Sequence, residues 1–325
     1  MRTLGTLRDT PVRFSPLCSQ WVVGRGAPRE VTTLGVEVIA IFGPTASGKS
    51  AVAHALASRF GTEVVSADAL QVYRGLPILT NQPAEPTRLI AVRDLSETMS
   101  AGEFALLAHE AIDELVSSND MAVVAGGTGL YLRAALIDLE IPPSVEPAYR
   151  ADAEREYDRD AAAAHERLGQ LDPAAAESIH VNDRRRVVRA IELAAVGESL
   201  IPAEPRLWAE SMRRPTLVVG LDIPADELER RIGERTDDMI QRGVVEEARA
   251  ARQRELSSTA AQALGLDDLT HLPLDQARER MVLRTRRYAA YQRKWMRRIP
   301  GIALVDADRP TEEVVDAIVD LARAR

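Results

Sequence analysis

Cysteine is almost absent. Cys18 stands alone among 325 residues, so no internal disulfide and no cysteine-based metal cluster can form. Such sparse cysteine use fits a reducing, cytoplasmic compartment. Histidine is also scarce: His54, His109, His165, His180 and His271 are scattered without ligand spacing and read as surface or hydrogen-bonded core residues. Long apolar runs are missing too. Met121–Ala125 is strand-sized, far below the ~20 residues that span a bilayer, so the chain reads as soluble with no membrane partner. The formal net charge of −8 excludes a protein coated in positive charge. Lysine is the last scarcity, for Lys49 and Lys294 are the only lysines among 41 basic residues.

The remaining composition is that of a globular chain. Hydrophobic residues at 46% and charged residues at 28% exclude a disordered chain, a collagen-like repeat and a coiled-coil rod. The length exceeds the roughly 100–200 residues of one typical domain, which predicts a core with an insertion. Residues 1–36 mix Gly, Pro, Thr and Arg without a period and carry five Arg against Asp9 and Glu30. No apolar stretch of signal-peptide type is present there. They are expected to be a disordered N-terminal extension. Positive charge is concentrated in two places. Arg284, Arg286, Arg287, Arg293, Lys294, Arg297 and Arg298 share a stretch without an acid, and Arg184, Arg185, Arg186 and Arg189 form a second cluster. From charge alone each is either a solvated helix face or a polyanion site.

Order is expected from Val36 onward. Val38–Phe42 is a β-branched run ending at Gly43, Ser50–Phe60 has helical periodicity, and Glu63–Ser66 reads as a second strand. Gly102–Val116 places Phe104, Leu107, Ala111 and Leu115 on one helical face, and Met121–Ala125 reads as a buried strand. Strands alternating with helices predict an α/β fold, a P-loop-containing parallel sheet with helices on both faces. From Tyr149 to about Ala195 the sequence is Ala- and Arg-rich and helical, broken at Asp172-Pro173. Residues 141–199 are therefore expected to be an inserted all-helical lobe between core segments 37–140 and 200–325. Strand character returns at Thr216–Leu221, followed by Pro224 and a long helix through Arg254. A helix over Asp275–Arg298, a strand at Ile302–Val305 and a helix at Thr311–Ala324 complete the chain. In the former helix Met281, Tyr288 and Trp295 recur every seven residues and are expected to pack on the core.

Gly43-Pro44-Thr45-Ala46-Ser47-Gly48-Lys49-Ser50 matches the pattern G-x-x-x-x-G-K-[ST] between a strand and a helix. Its backbone N–H groups and the helix N-terminus would cradle a diphosphate or nucleotide phosphate. Lys49 would neutralise the outer oxygens, and the Ser50 hydroxyl would ligate Mg²⁺, the one expected cofactor. A second feature is Asp68, two residues past the Glu63–Ser66 strand. That places it at the open carboxyl edge where α/β sheets bind ligands. On position alone it also fits a Mg²⁺-water ligand or a helix cap.

Several stretches together resemble the tRNA dimethylallyltransferases. They are Ser66-Ala67-Asp68-Ala69-Leu70-Gln71-Val72-Tyr73-Arg74-Gly75, Gly126-Gly127-Thr128-Gly129-Leu130-Tyr131 and Asn182-Asp183-Arg184-Arg185-Arg186-Val187-Val188-Arg189-Ala190-Ile191-Glu192. Arg235, Met239, Gly243, Glu246 and Glu247, then Arg284–Arg287, Tyr288 and Gln292, extend the match from about Val38 to Arg298. The resemblance implies transfer of a dimethylallyl group from dimethylallyl diphosphate to the exocyclic amine of the adenine 3′ of a tRNA anticodon. It assigns catalysis to Asp68 as general base, Thr128 near the bridging oxygen and Arg235 on the leaving diphosphate. It assigns the target base to Asp68, Ala69, Leu70 and Gln71, the adenine being flipped out to be reached. Arg150, Arg185, Arg186 and Arg189 would meet the backbone of the anticodon stem-loop. The expected partners are thus tRNA and dimethylallyl diphosphate, with the chain a monomer needing no other protein.

The sequence departs from the family pattern at Ala69, where Ser is usual, at Gln82, where Lys is usual, and at Leu266, where Tyr is usual. Thr87-Arg88 replaces a His pair and Ala290 replaces a Lys. Three other readings share parts of these data. A P-loop small-molecule kinase would use the same cradle but leave the basic helical insertion unexplained. A nucleotide-switched RNA-binding module would not need Asp68, and an enzyme prenylating free adenosine phosphates would not need the Arg184–Arg189 cluster.

Overall fold

Short strands of two to seven residues, most of them aliphatic, pair into one sheet, in a computed structural model that describes residues 34–139, 142, 145–201 and 206–325. The strands are Val38–Phe42 (β1), Val64–Ser66 (β2), Thr87–Arg88 (β3), Ala122–Gly126 (β4), Thr216–Asp222 (β5) and Ala303–Asp306 (β6). Every pairing is parallel, in the order β3-β2-β4-β1-β5-β6. The helices of the core are Lys49–Phe60 (α1), Ala101–Asn119 (α2) and Gly129–Leu136 (α3). The middle of the chain forms Pro147–Arg159 (α4), Ala161–Leu171 (α5), Pro173–Ser178 (α6) and Arg184–Ala194 (α7). Ala225–Gln241 (α8), Val244–Arg252 (α9), Leu266–His271 (α10), Leu274–Met296 (α11) and Thr311–Arg323 (α12) follow. Residues 1–33 of the expected tail lie outside the described residues.

All five residues of β1 are buried because helices cover both faces of the sheet, the situation that selects continuous apolar runs over alternating ones. Side chains alternate across a strand. Val38, Ala40 and Phe42 therefore pack with Phe104, Ala108 and Leu132 of α2 and α3, while Ile39 and Ile41 pack with Val52 and Leu56 of α1 and Val315 and Ile318 of α12. Central position gives β1 two partners, with Phe42 registered against both Gly126 and Gly220. The loop leaving β1 is consequently flanked by the loops of its neighbours.

Helices α4–α7 enclose a separate apolar cluster built from Ala153, Ala164, Leu168, Ile179, Val187, Val188 and Ile191. Aspartates start three of these helices. Asp160 accepts from the N–H groups of Ala162 and Ala163 at 3.0 Å, Asp172 from Ala175 at 3.0 Å and Asp183 from Arg186 at 3.2 Å. Asp172-Pro173 breaks the helical run because the cap is followed by a proline at the first helical position, where no N–H is needed.

Two expectations fail locally. The single long helix through Arg254 is two helices, since the chain turns at Gly243 with φ of 91°, a left-handed conformation open to glycine. Strand β3 went unforeseen because two residues carry no period. Helices α3 and α10, of eight and six residues, lacked a detectable period as well.

Candidate functional site

Three loops converge at the carboxyl ends of β1, β2 and β4, and helices α8 and α11 close over them. The cleft between has a volume of about 130 Å³ and is lined by Thr45, Lys49, Ser50, Asp68, Arg235 and Gln292 among others. This is where an open parallel sheet gathers ligand-binding loops.

The cradle Gly43–Ser50 runs from the end of β1 into the first turn of α1. Ala46 and Gly48 have φ of 65° and 87° and fold the loop back on itself, and Ser47 N–H donates to Pro44 O at 3.2 Å. The Ser47 side chain is buried, and its hydroxyl meets no partner among the described residues. Lys49 Nζ donates to Pro44 O at 2.7 Å. Burial and the neighbouring Arg235 guanidinium push the Lys49 amine down to about 7, against the pull of the Asp68 carboxylate. Arg235, from α8, donates through Nη1 to Thr45 Oγ1 at 2.9 Å. Its guanidinium too is desolvated, with Asp68 as the charge that favours it. Two cations and one carboxylate thus share one cleft, an excess of positive charge suited to a polyphosphate.

Asp68 lies two residues beyond β2. Its Oδ1 accepts from Leu70 N–H at 2.9 Å, which orients the carboxylate; among the described residues no cation is in direct contact with it. The next amide, Ala69 N–H, donates to Thr128 Oγ1 at 3.2 Å. Asp68 and Thr128 are therefore neighbours although they leave different strands. Leu70 and Gln71 line the same cleft. Gln71 is held by Ser66 Oγ, which donates to its Oε1 at 2.8 Å, and by the Thr80 and Asn81 carbonyls, which accept from its Nε2 at 3.2 and 2.9 Å.

The helical lobe presents its arginines unequally. Arg185 and Arg186 are exposed in the first turn of α7, with no ion pair among the described residues. Arg189 instead pairs with the buried Glu192 at 2.8 Å, and Arg150 approaches Glu154 at 3.4 Å and Glu192 at 3.9 Å. Burial raises the Tyr131 phenol, Tyr73 adds to the rise, and the Arg185 charge opposes it.

Tyr288 corrects an expectation. It lines the cleft rather than the core, and burial and the Asp68 charge raise its phenol while Thr128 and Gln292 oppose the rise. Met281 is buried as expected. Trp295 is half-buried against the core and also lies 5.0 Å, centroid to centroid, from Trp208, over which the Arg298 guanidinium sits at 4.1 Å. Sequence reasoning assigned no role to Gln292 or Glu247. The Glu247 carboxylate accepts from the N–H groups of Ile78 and Leu79 at 2.9 and 2.7 Å and ties their loop to α9. A spacing was available: Met281, Thr285, Tyr288 and Gln292 line the cleft from one face of α11, but a polar residue on such a face has no distinctive period.

Local geometry accounts for most departures from the family pattern. Gln82 Nε2 donates to the Gln71 and Tyr73 carbonyls at 3.0 and 2.7 Å, so a neutral amide fills a donor's place. Leu266 is fully buried at the start of α10. Thr87 and Arg88 form β3, where Arg88 pairs with Glu63 at 2.6 Å and Glu114 at 3.1 Å. Ala290 is exposed. Nothing in the structure explains Ala69.

A P-loop at the carboxyl edge of an all-parallel sheet, with a carboxylate beside it and helices on both faces, defines a P-loop α/β protein. The chain belongs to the IPP transferase family, whose model matches residues 71–299. A tRNA dimethylallyltransferase of Anaeromyxobacter dehalogenans (strain 2CP-1 / ATCC BAA-258) is 38% identical over 298 residues, covering 88% of this chain and 98% of the relative. Among solved structures, the full-length tRNA isopentenylpyrophosphate transferase of Bacillus halodurans is 29% identical with a TM-score of 0.63, covering 88% of this chain and 95% of that one. A eukaryotic dimethylallyltransferase acting on tRNA is 26% identical with a TM-score of 0.72, covering 89% and 80%.

Proposed function

We propose that this chain is a tRNA dimethylallyltransferase that prenylates the exocyclic amine of the adenine 3′ of the anticodon, using dimethylallyl diphosphate. The observation that carries this reading is the meeting of Lys49, Arg235 and Asp68 in one cleft. The cations match a diphosphate leaving group, and the carboxylate matches a proton acceptor. The adenine nitrogen attacks C1 of the dimethylallyl group, the C1–O bond breaks, and the diphosphate departs with its electron pair. Lys49, Arg235 and the N–H groups of Gly43–Ser50 stabilise the charge developing there. Thr128, placed next to Asp68 by the Ala69 amide, hydrogen-bonds near the bridging oxygen. Asp68 takes the proton that the amine loses. Leu70 and Gln71 border the space that the flipped base enters.

The residues present fit Mg²⁺: the Ser50 hydroxyl is exposed in a cleft that also holds a carboxylate, and hard oxygen ligands of this kind suit the ion. Ser50 would hold it, and when bound it neutralises charge on the diphosphate. Among the described residues no helix is long and apolar enough to cross a membrane. A monomer acting in the cytoplasm is the simplest form of this reading.

Incubating the purified chain with dimethylallyl diphosphate, Mg²⁺ and unmodified tRNA, then digesting the RNA for mass spectrometry, tests the activity. Prenylated adenosine at the position 3′ of the anticodon is expected. Its absence, with phosphorylated small molecules formed from ATP instead, would favour a kinase.

The helical lobe supplies the RNA surface in this reading, through Arg185 and Arg186 first, and Arg150 and Arg189 where RNA phosphates compete with Glu192. Replacing Arg185 and Arg186 by Gln is expected to weaken tRNA binding with little change in diphosphate affinity. The log–log slope of binding against salt is expected to fall by about one per contact removed. Equal slopes for variant and parent would show a solvated helix face.

A further inference from the structure

Gln292 is buried on α11, far in sequence from the two loops that it touches. Its Oε1 accepts from Thr45 N–H in the cradle at 2.7 Å, and its Nε2 donates to Gly127 O at 2.8 Å. Only 2% of the residue is exposed, so water does not replace either bond. The approach is close: a Cβ at Gly127 would stand 2.2 Å from Nε2 and would displace the amide. Thr45 is thereby held twice, its backbone by Gln292 and its hydroxyl by Arg235. Gly127 in turn precedes Thr128, which receives the Ala69 amide.

We infer that Gln292 is a positioning residue that sets the spacing between the cradle after β1 and the Gly126-Gly127-Thr128 loop after β4, and so the seat of the diphosphate between them. The inference rests on the prenyl-transfer reading. Both loops leave adjacent strands in register, but the strands themselves end before the ligand contacts begin. A neutral amide is the side chain that offers an acceptor to one loop and a donor to the other at the same time. Methionine has similar bulk and offers neither. Glutamate offers only the acceptor while ionised and regains a donor when protonated.

The test uses the full chain, with inorganic pyrophosphate and Mg²⁺ as the probe, measured by calorimetry alongside steady-state transfer. Gln292→Met is expected to weaken pyrophosphate binding about tenfold or more. It should raise KM for dimethylallyl diphosphate with a smaller change in kcat, and leave tRNA affinity near that of the parent. Gln292→Glu is expected to show a deficit, relative to the parent at each pH, that is constant near neutrality and shrinks as the pH is lowered through the carboxyl range, at about 4 to 5. A folded Gln292→Met variant that binds pyrophosphate like the parent would overturn the inference and leave the prenyl-transfer reading untouched. Should that variant fail to fold, a Gln292→Glu deficit independent of pH would overturn it instead. A parent that transfers no prenyl group yet loses pyrophosphate affinity on substitution would overturn the function and keep the positioning role.

Discussion

Asp68→Asn is expected to bind tRNA and dimethylallyl diphosphate within a few-fold of the parent while turnover falls by about 10²–10⁴, the usual worth of a general base. The amide is nearly isosteric with the carboxylate. Its oxygen can still accept from Leu70 N–H, so the turn after β2 survives. What it cannot do is take the proton from the adenine amine. A second consequence follows from charge: Asp68 is the anion that favours the ionised forms of Lys49 and Arg235. The substitution therefore leaves Lys49 easier to deprotonate, and diphosphate affinity should decline at a lower pH than in the parent. Single-turnover transfer at saturating tRNA, repeated across a Mg²⁺ series, separates the roles. A defect rescued by Mg²⁺ would mark a metal ligand, and a variant as fast as the parent would remove Asp68 from the mechanism.

Lys49→Ala is expected to lose about 1.5–3 kcal/mol of diphosphate binding, the range for a charge-assisted hydrogen bond to an anion. The pH dependence gives a sharper signature. In the free protein the Lys49 amine is held down to about 7, first by burial and then by Arg235. Above that pH it is mostly neutral, and a bound diphosphate favours its charged form. Binding must then take up a proton, so affinity falls as pH rises above about 7. Calorimetry at about pH 8 in buffers of different ionisation enthalpy should register uptake approaching one proton for the parent and much less for Lys49→Ala. Equal affinities for the two proteins would sink the assignment of the cradle.

The sheet was legible because each strand is a short apolar run beside a turn signal, and burial on both faces leaves nothing else for such a run to do. The cradle was legible because its eight residues are contiguous and their work is done by backbone and adjacent side chains. Asp68 was legible by its offset from β2. The lobe's helices were legible from composition, and their aspartate caps explain where they start. Gln292 and Glu247 were not legible as site residues, since each acts on backbone groups more than 160 residues away. Tyr288 shares a seven-residue spacing with Met281 and Trp295, yet only its surroundings distinguish a cleft wall from a core.

The sequence by itself determined the P-loop pattern, the parallel α/β class, the helical character of the middle of the chain and the resemblance to a prenyl-transferring family, because local periodicity and contiguous motifs carry that information. Only the tertiary structure decided which arginines remain unpaired. Arg185 and Arg186 carry no ion pair among the described residues, whereas Arg150 reaches Glu192 across the α4–α7 contact and Arg189 pairs with the same Glu192 one turn along α7. Only the tertiary structure brought Lys49, Asp68, Arg235 and Gln292 to one cleft. The reason is physical: the parallel order places the ends of β1, β2 and β4 side by side, and packing of α8 and α11 over those ends sets the charges and hydrogen bonds of the site.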